Sequence, residues 1–403
     1  MKFTLSIHIL SVPIICGNAD PFWMVNKHDY CGRSEIPAYK ARTDTSATVG
    51  LKSVHVLLRH GARSEYESVP CFADNKQTKY KCDNSSLFSL DAPKSRSIPE
   101  FPEFQLLAKV YEDESDTCAM GQLLDEGIDQ LKRVGKYLMS TYPIQFACDN
   151  KSRMNLYSTD TQRTMASLTS VISSMYPNPN ARVFKVNTRP LPQDHFGMNN
   201  PTCTYFKHHR SVFRESRFFK EFQNGINYAK CASLWNSTFK TSLDLWHASD
   251  CLLAPTCAKV MLPDNQPIPP ALFECVTDLT MEIRAEEYGA VPSSPYFATG
   301  RTLCDINSFK ILRSILKSAF NNYQVAGIYT LHDESLVCLL TSLGMWDLSW
   351  PKYAMVLAFE FYSDKSVRVM RDGLEIGILR NGLLDALRIK NTQQWNSVCQ
   401  ISS

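Results

Sequence analysis

The segment Arg59-His60-Gly61-Ala62-Arg63 places one histidine between two arginines. An arginine presents a planar set of donors that matches the oxygens of a phosphate, and its charge is permanent. Two such cations disfavour a protonated imidazole, so we expect His60 to be neutral and nucleophilic. Gly61 lets the backbone approach a bound anion closely. The segment alone indicates a phosphate pocket with a nucleophile, and an ordinary turn histidine between two solvated arginines is an equally good interpretation.

Three predicted strands each lead into polar side chains: 53–58 into Arg59, 154–158 into Arg163, and 325–331 into His332 and Asp333. In open α/β sheets, ligands bind at the carboxyl ends of the strands. We therefore expect the three junctions to form one site. There His332 would bind phosphate, and a protonated Asp333 would donate to the leaving oxygen. The alternative role for Asp333 is that of a helix cap.

The hydrophobic pattern predicts an α/β protein with a mostly parallel central sheet flanked by helices. Residues 188–300 differ from the rest because they combine many prolines and aromatics with several helical patches, which indicates a mainly helical cap. We predict these units: a signal peptide at 1–19, an α/β core at 20–187 and 301–403, and a cap at 188–300. The predicted helices are 122–142, 163–175, 214–227, 270–288, 305–321 and 335–343, and 355–362 with 367–370 are closing strands.

The N-terminus has the pattern of a secretory signal. Lys2 is followed by a short apolar stretch from Phe3 to Cys16, and small residues precede a predicted cleavage after Ala19. A membrane anchor is the alternative, but the run is short and contains His8 and Pro13. We expect a secreted or lysosomal protein without a membrane span once the signal is removed.

Cysteine usage agrees with an oxidising compartment. The chain has 14 cysteines, of which one lies in the signal, so an odd number remains and at least one is unpaired. Cys338, in an apolar helical run, is the expected free thiol. Connectivity stays open, although Cys71 with Cys82 and Cys251 with Cys257 are close in sequence. The spacing lacks a CxxC cluster, so a structural zinc site is not expected.

Charge and sequons limit the partners of the chain. The formal net charge is +3, which is too small to indicate a nucleic-acid partner. Glycosylation sequons begin at Asn84, Asn150 and Asn236, and with a signal they predict exposed, glycosylated positions. The sequence allows a homodimer and does not decide the oligomeric state.

The motifs, taken together, resemble the histidine acid phosphatases, branch 2 of the histidine phosphatase superfamily. The matching elements are the R-H-G-x-R segment at 59–63, the S-x-D-x-x-R-T-x-x-S element at 158–167, the H-D pair at 332–333, a helix start similar to L-T-x-x-G-x-x-Q at 123–130, and F-E-x-Y at 359–362. They cover about residues 53 to 375 in the family's order.

The resemblance implies a phosphatase-type α/β fold and hydrolysis of small-molecule phosphomonoesters without a metal or cofactor. By position, His60 resembles the nucleophile that becomes phosphohistidine, and Asp333 resembles the proton donor. The residues that resemble the phosphate-binding ring are Arg59, Arg63, Arg163 and His332. One departure is Glu65, where the family usually has proline, and we expect its side chain to point to solvent rather than to pair with Arg63.

Other functions share these motifs. A non-catalytic binding or antigen-like protein could retain the fold, with Glu65 as a sign of a decaying site. A phosphoglycerate-mutase-like enzyme shares R-H-G but not the signal, cysteines and cap. A specialised lipid, inositol or glycan phosphatase would use the same chemistry, and only the cap would distinguish it.

Overall fold

The computed structural model describes most of the chain, with gaps. The described residues are 30–32, 36, 50–66, 71–72, 78–83, 118–177, 184, 186–189, 194, 196–198, 203–263, 266–320, 325–380 and 382–400. The predicted signal peptide and the sequon at Asn84 lie outside them.

A seven-stranded sheet forms the centre of the molecule, in the order β3-β2-β4-β1-β5-β6-β7. The strands are β1 (Leu51–Arg59), β2 (Met154–Ser158), β3 (Val186–Asn187), β4 (Ala326–Leu331), β5 (Val356–Tyr362), β6 (Val367–Arg371) and β7 (Leu374–Leu379). Strands β1 to β4 are parallel, and β5, β6 and β7 join antiparallel. The predicted α/β fold is confirmed, and β7 was not predicted.

The register brings the predicted strand junctions to one edge of the sheet. Arg59 lies opposite Leu331, and Ser158 lies opposite Thr330. The parallel strands β1, β2 and β4 therefore end side by side, as a crossover sheet requires. The His60 amide donates to the Leu331 carbonyl at 3.2 Å, so the segment after β1 extends along the end of β4.

The helices of the core cover both faces of the sheet. They are α1 (Asp125–Thr141) and α2 (Gln162–Met175) on one face, α8 (Phe297–Ala319) and α9 (Asp333–Leu343) on the other, and α10 (Thr392–Cys399) near the C-terminus. A hydrophobic core lies on each face of the sheet. Val54, Val56 and Leu58 of β1 belong to the core beside α1 and α2, and Leu57 belongs to the core beside α8 and α9. This alternation is what a strand buried on both faces produces. Helix α8 begins at Phe297, eight residues before its predicted start.

Among the described residues, five further helices lie between β3 and α8, and we call them the cap helices. They are α3 (Thr204–Glu215), α4 (Arg217–Gln223), α5 (Ile226–Phe239), α6 (Leu245–Ala258) and α7 (Pro270–Glu287). The predicted helix 214–227 was wrong, because α4 begins anew with Ser216 as N-cap, whose hydroxyl accepts from the Phe219 amide at 3.1 Å. Trp235, Leu252 and Val276 help to form a separate core. The division at 188 and 300 remains a prediction.

Six disulfides join described cysteines: Cys31–Cys257, Cys71–Cys251, Cys82–Cys118, Cys203–Cys399, Cys231–Cys275 and Cys304–Cys338. The short pairings Cys71–Cys82 and Cys251–Cys257 were wrong, as was a free Cys338. Cys338 in α9 faces Cys304 on the neighbouring α8, so its apolar setting reflects a buried disulfide. The free thiol among the described cysteines is the exposed Cys148.

No helix of the described residues is both long and apolar enough to cross a bilayer. Of the described sequons, Asn236 is exposed on α5. The amide of Asn150 is partly buried and donates to the Ile144 carbonyl at 2.8 Å. Glycosylation at both remains a prediction.

Candidate active site

The segment after β1 holds His60 buried, with one ring nitrogen already committed. Its Nδ1 lies 2.9 Å from the Gly61 carbonyl oxygen. Because a carbonyl only accepts hydrogen bonds, Nδ1 carries the proton and Nε2 keeps its lone pair. Burial, followed by the charges of Arg163 and Arg59, lowers the pKa of His60 well below its usual value. His60 therefore has the protonation state and tautomer of a nucleophile.

Helix α1 fixes the backbone of this segment. The Ala62 amide donates to Gln130 Oε1 at 2.8 Å, and the Leu124 amide donates to the Ala62 carbonyl at 2.9 Å. A Cβ on Gly61 would lie 2.5 Å from the Gly127 carbonyl oxygen, and a Cβ on Gly127 would clash with the Ala62 carbonyl. The glycine and glutamine of the predicted helix start are therefore explained by packing against the nucleophile segment.

Arg163, which follows β2, and His332, which follows β4, lie next to each other at the end of the sheet. The Arg163 Nη2 lies 3.3 Å from His332 Nδ1, and His332 Nε2 lies 3.0 Å from Thr159 Oγ1. Since a guanidinium can only donate, Nδ1 of His332 accepts and Nε2 carries the proton. The centroids of the His60 and His332 rings are 5.7 Å apart. The two histidines thus lie close together at the end of the sheet.

Helix α2 begins at Gln162, one residue before its predicted start. Its N-cap is Thr161, and no side chain caps the helix there. The Thr159 hydroxyl lies 3.0 Å from His332 Nε2. The polar run after β2 therefore helps to position His332.

Arg59 and Asp333 form a buried ion pair. Arg59 Nη2 donates to Asp333 Oδ2 at 2.6 Å, and Nη1 donates to the Pro351 carbonyl at 2.6 Å. The guanidinium stacks over the Tyr353 ring at 4.2 Å. The indole of Trp350 donates to the same Asp333 oxygen at 3.2 Å. Asp333 is the first residue of α9 rather than its N-cap, which is His332.

The charges around Asp333 decide its protonation. Burial raises the pKa of Asp333, but Arg59 and Arg63 outweigh burial and hold the pKa well below its usual range. Burial and the charge of Arg63 lower the pKa of Arg163 to about 10. In the free site, Asp333 is thus a carboxylate. The guanidiniums of Arg59, Arg63 and Arg163 lie close enough for their charges to act on the same residues of the site.

Arg63 makes an ion pair that the sequence did not predict. Its Nη1 donates to Asp250 Oδ2 at 2.9 Å, and Asp250 belongs to the cap helix α6. The Tyr66 amide donates to the same oxygen at 2.7 Å. The ring of Tyr66 lies 4.8 Å from the Arg163 guanidinium. A cap helix and the loop after His60 therefore meet at the arginines that are predicted to bind phosphate.

Three donors at the centre of the site have no protein partner among the described residues. They are the Nε–H groups of Arg59, Arg63 and Arg163, and all three are buried. A buried donor without an acceptor costs about 1–3 kcal/mol, more when it is charged. A ligand with several anionic oxygens, such as a phosphoryl group, would satisfy such donors.

Glu65 does not point to solvent as predicted. Its Oε2 is buried, and burial raises the pKa of Glu65, an effect that the nearby Tyr80 hydroxyl opposes. The Gly121 amide also donates to the Glu65 carbonyl at 2.8 Å, which ties the backbone of this loop to residue 121. A glutamate at the motif's proline position is therefore accommodated.

Cap helices also contact the residue after Asp333. Glu334 accepts from Arg210 at 2.8 Å and from the Tyr288 hydroxyl at 3.0 Å. Burial raises the pKa of Glu334, but Arg210 and Arg284 lower it below its usual value. This ion cluster fixes the start of α9, and with it Asp333, against α3 and α7.

The structure brings together all six residues predicted for the site: Arg59, His60, Arg63, Arg163, His332 and Asp333. Their individual roles remain predictions. Sequence reasoning missed Asp250, Tyr66, Tyr30, Trp350 and Tyr353. Tyr66 is three residues past Arg63 and could have been included by proximity. The sequence carries no signal for Asp250, because it is brought to Arg63 only by the folding of the cap.

Comparisons with known proteins agree with this geometry. The model of the histidine phosphatase superfamily (branch 2) matches residues 50–224. Human (Homo sapiens) testicular acid phosphatase is 26% identical over 263 residues, which are 60% of this chain and 59% of that protein. The 2-phosphoxylose phosphatase 1 of Xenopus tropicalis is 23% identical over 392 residues, covering 89% of this chain and 75% of the relative.

Among solved structures, the phytase from D. castellii superimposes with a TM-score of 0.52 at 11% identity, covering 92% of this chain and 84% of the phytase. That likeness shows the fold. The match to human testicular acid phosphatase spans about three fifths of the length of that protein. Over residues 50–224, the chain is therefore similar to the histidine phosphatase superfamily (branch 2).

Proposed function

We propose that the protein is an acid phosphatase that hydrolyses phosphomonoesters through a phosphohistidine at His60. The observation that carries this proposal is the state of His60, which is buried and neutral, with the Nε2 lone pair uncommitted. The buried Nε–H groups of Arg59, Arg63 and Arg163 supply the charge that a phosphoryl group requires. The names of the relatives, acid phosphatase and phosphoxylose phosphatase, support the same reaction class.

The reaction follows from the site in two balanced steps. In the first, the Nε2 lone pair of His60 attacks phosphorus, the bond to the ester oxygen breaks, and Asp333 gives that oxygen its proton. In the second, water attacks phosphorus, its proton passes to the Asp333 carboxylate, and the bond to His60 breaks. Arginines around the equatorial oxygens stabilise both transition states.

Protonation of Asp333 depends on the substrate. In the free site, Arg59 and Arg63 keep the pKa of Asp333 low. A phosphate dianion between these arginines shares their charge and adds its own negative charge, and both effects raise the pKa of Asp333. An acidic medium completes the protonation, which is why the proposed activity belongs at acid pH.

The proposal includes the cellular setting of the enzyme. Six disulfides are compatible with the secretory pathway. We propose that the chain is secreted or lysosomal, that 1–19 is removed, and that Asn84, Asn150 and Asn236 are glycosylated. Signal removal and glycosylation are supported by the sequence patterns alone.

Phosphate release tests the activity. The purified protein is incubated with 4-nitrophenyl phosphate between pH 4 and 7, beside His60→Ala and the surface variant Glu221→Gln. We expect turnover by the unchanged protein and by Glu221→Gln, and none above background by His60→Ala. Equal release by all three, or by none, would reject the proposal.

A further inference from the structure

Asp250 occupies a position that no phosphate-binding role explains. It is a carboxylate supplied by the cap helix α6 to the arginines that we propose to bind phosphate. Its Oδ2 accepts from both the Arg63 guanidinium and the Tyr66 amide, at 2.9 and 2.7 Å. The charge of Asp250 also acts on Arg163 and on Tyr353, so it is felt across the site.

Two disulfides fix this carboxylate in place. Cys251, the next residue, is bonded to Cys71, which follows the nucleophile loop. Cys257, six residues further along α6, is bonded to Cys31, next to the Tyr30 that contacts Arg59. Because two disulfides bond α6 to these segments, Asp250 is held against Arg63 and is not a surface charge that swings in.

The charges of the site balance for one phosphate and not for two. Arg59, Arg63 and Arg163 contribute three positive charges, and Asp250 contributes one negative charge. With Asp333 protonated for catalysis, a single phosphate dianion makes this set neutral. A second anionic group on the substrate would then bring uncompensated negative charge close to the Asp250 carboxylate. Two negative charges that lie close together in a partly buried site repel each other strongly.

We infer that Asp250 is a specificity-determining residue that selects phosphomonoesters of neutral alcohols and disfavours esters whose alcohol carries further phosphate groups. This rests on the proposed function for its substrate class, and it goes beyond that function by assigning the discrimination to one cap residue. The physical reason for this selectivity is that the Asp250 carboxylate occupies the Arg63 Nη1 donor, which a polyanion would otherwise use.

Fructose 6-phosphate and fructose 1,6-bisphosphate form a matched pair of probes, because they differ by one phosphate. The ratio of their kcat/KM values is measured for the unchanged protein, Asp250→Asn, Asp250→Glu and Glu221→Gln. Glu221 lies on α4 in an exposed ion pair with Arg217, so its variant removes one cap charge away from the site. The His60→Ala substitution is then added to each of these proteins to prevent turnover. The dissociation constants of both esters are measured with these proteins by calorimetry.

We expect the unchanged protein to prefer fructose 6-phosphate, and Asp250→Asn to reduce that preference about tenfold in both kcat/KM and binding. Asp250→Glu and Glu221→Gln should keep the preference. The first replaces one carboxylate by another at position 250, and the second leaves Asp250 unchanged. An unchanged ratio in Asp250→Asn, an equal loss for both esters, or no preference in the unchanged protein overturns the inference.

The binding arm separates this inference from the proposed function. If the unchanged protein hydrolyses neither ester, the phosphatase proposal fails, while the shift in binding ratio still decides the role of Asp250. If it hydrolyses both with the same ratio in every variant, the phosphatase proposal stands and the role of Asp250 is rejected.

Discussion

Arg59 Nη2 donates to Asp333 Oδ2 at 2.6 Å, across 274 residues of sequence. This contact joins the first residue of the proposed phosphate ring to the proposed proton donor. The Arg59 side chain is fully buried and Asp333 is 17% exposed, so the pair is shielded from solvent. The proposed proton donor is therefore held ionised in the free site, and the proposal requires a substrate to take up part of the Arg59 charge.

The first prediction concerns the pH dependence of Asp333→Asn. Because the ion pair holds the pKa of Asp333 below its usual range, its carboxylate is charged throughout the acidic range in the free site. The bound phosphate raises that pKa, so kcat of the unchanged protein should fall as pH rises through the pKa of the complex. In Asp333→Asn, kcat should be about 10²–10⁴-fold lower and should lose this dependence.

Steady-state kinetics from pH 4 to pH 7 measure this prediction. A fast-leaving aryl phosphate serves as the control, because it needs less protonation and should lose less rate. If Asp333→Asn keeps the pH profile of the unchanged protein, Asp333 is not the proton donor.

Gly127 provides a test of how α1 supports the nucleophile segment. A Cβ there would clash with the Ala62 carbonyl, next to His60. Alanine is favoured over glycine by about 1 kcal/mol inside a helix, whereas overpacking costs about 1–3 kcal/mol. We expect Gly127→Ala to be less stable in urea and to have a lower kcat. Gly50→Ala, which meets no atom within 4 Å, is the control, and equal behaviour of both variants would contradict the packing argument.

The Cys71–Cys251 disulfide should matter for specificity as well as stability. Replacing both cysteines by alanine removes the bond next to Asp250 and should cost about 2–5 kcal/mol of stability. The preference for fructose 6-phosphate over the bisphosphate should also narrow, as α6 gains freedom. The matched control replaces Cys203 and Cys399, a disulfide that joins α3 to the C-terminal helix. If both double variants lose the preference for fructose 6-phosphate to the same extent, the loss of stability causes the change and the position of α6 does not.

Acid stability depends on the buried His55 of β1. Burial lowers the pKa of His55 from 6.5 to about 3, so the folded protein leaves it neutral at pH 4.5 while the unfolded chain protonates it. The unfolded state then binds more protons, and stability falls as pH drops from about 6.5 toward 3. Between pH 6.5 and 4.5 this loss amounts to about 2 kcal/mol.

Urea unfolding of His55→Gln tests this origin, since the variant has no titrating ring there. Its stability should decline less than that of the unchanged protein between pH 6.5 and 4.5, whereas the exposed control His208→Gln should behave as the unchanged protein. A decline in His55→Gln as steep as in the unchanged protein would assign the acid sensitivity to other groups.

The sequence was sufficient to predict the α/β fold and the convergence of the three strand junctions. Strand ends and helix starts are local features, and parallel strands must present their carboxyl ends at one edge. The same reasoning predicted the gathering of His60, Arg163 and His332. Element boundaries shifted where packing decides them, as at the start of α8, which extends to Phe297.

Contacts that do not involve the strand junctions were not predicted from the sequence. The pairing Cys71–Cys251 joins residues 180 positions apart, and proximity in sequence instead suggested Cys82 as the partner of Cys71. Asp250 meets Arg63 because the same disulfide and α6 place it there. Likewise, the orientation of Glu65 toward the loop interior depends on how residues around Tyr80 cover it. Such details follow from tertiary packing, which no local pattern encodes.

Trapping the covalent intermediate tests the role of His60 most directly. The protein is mixed with a radiolabelled phosphomonoester, quenched in alkali, and digested to locate the label. A phosphohistidine is stable in base and labile in acid, so we expect base-stable label on the peptide containing His60, at up to one phosphate per chain, and none in His60→Ala. Continued turnover without any trapped label in the unchanged protein, or label that persists in His60→Ala, would contradict the account.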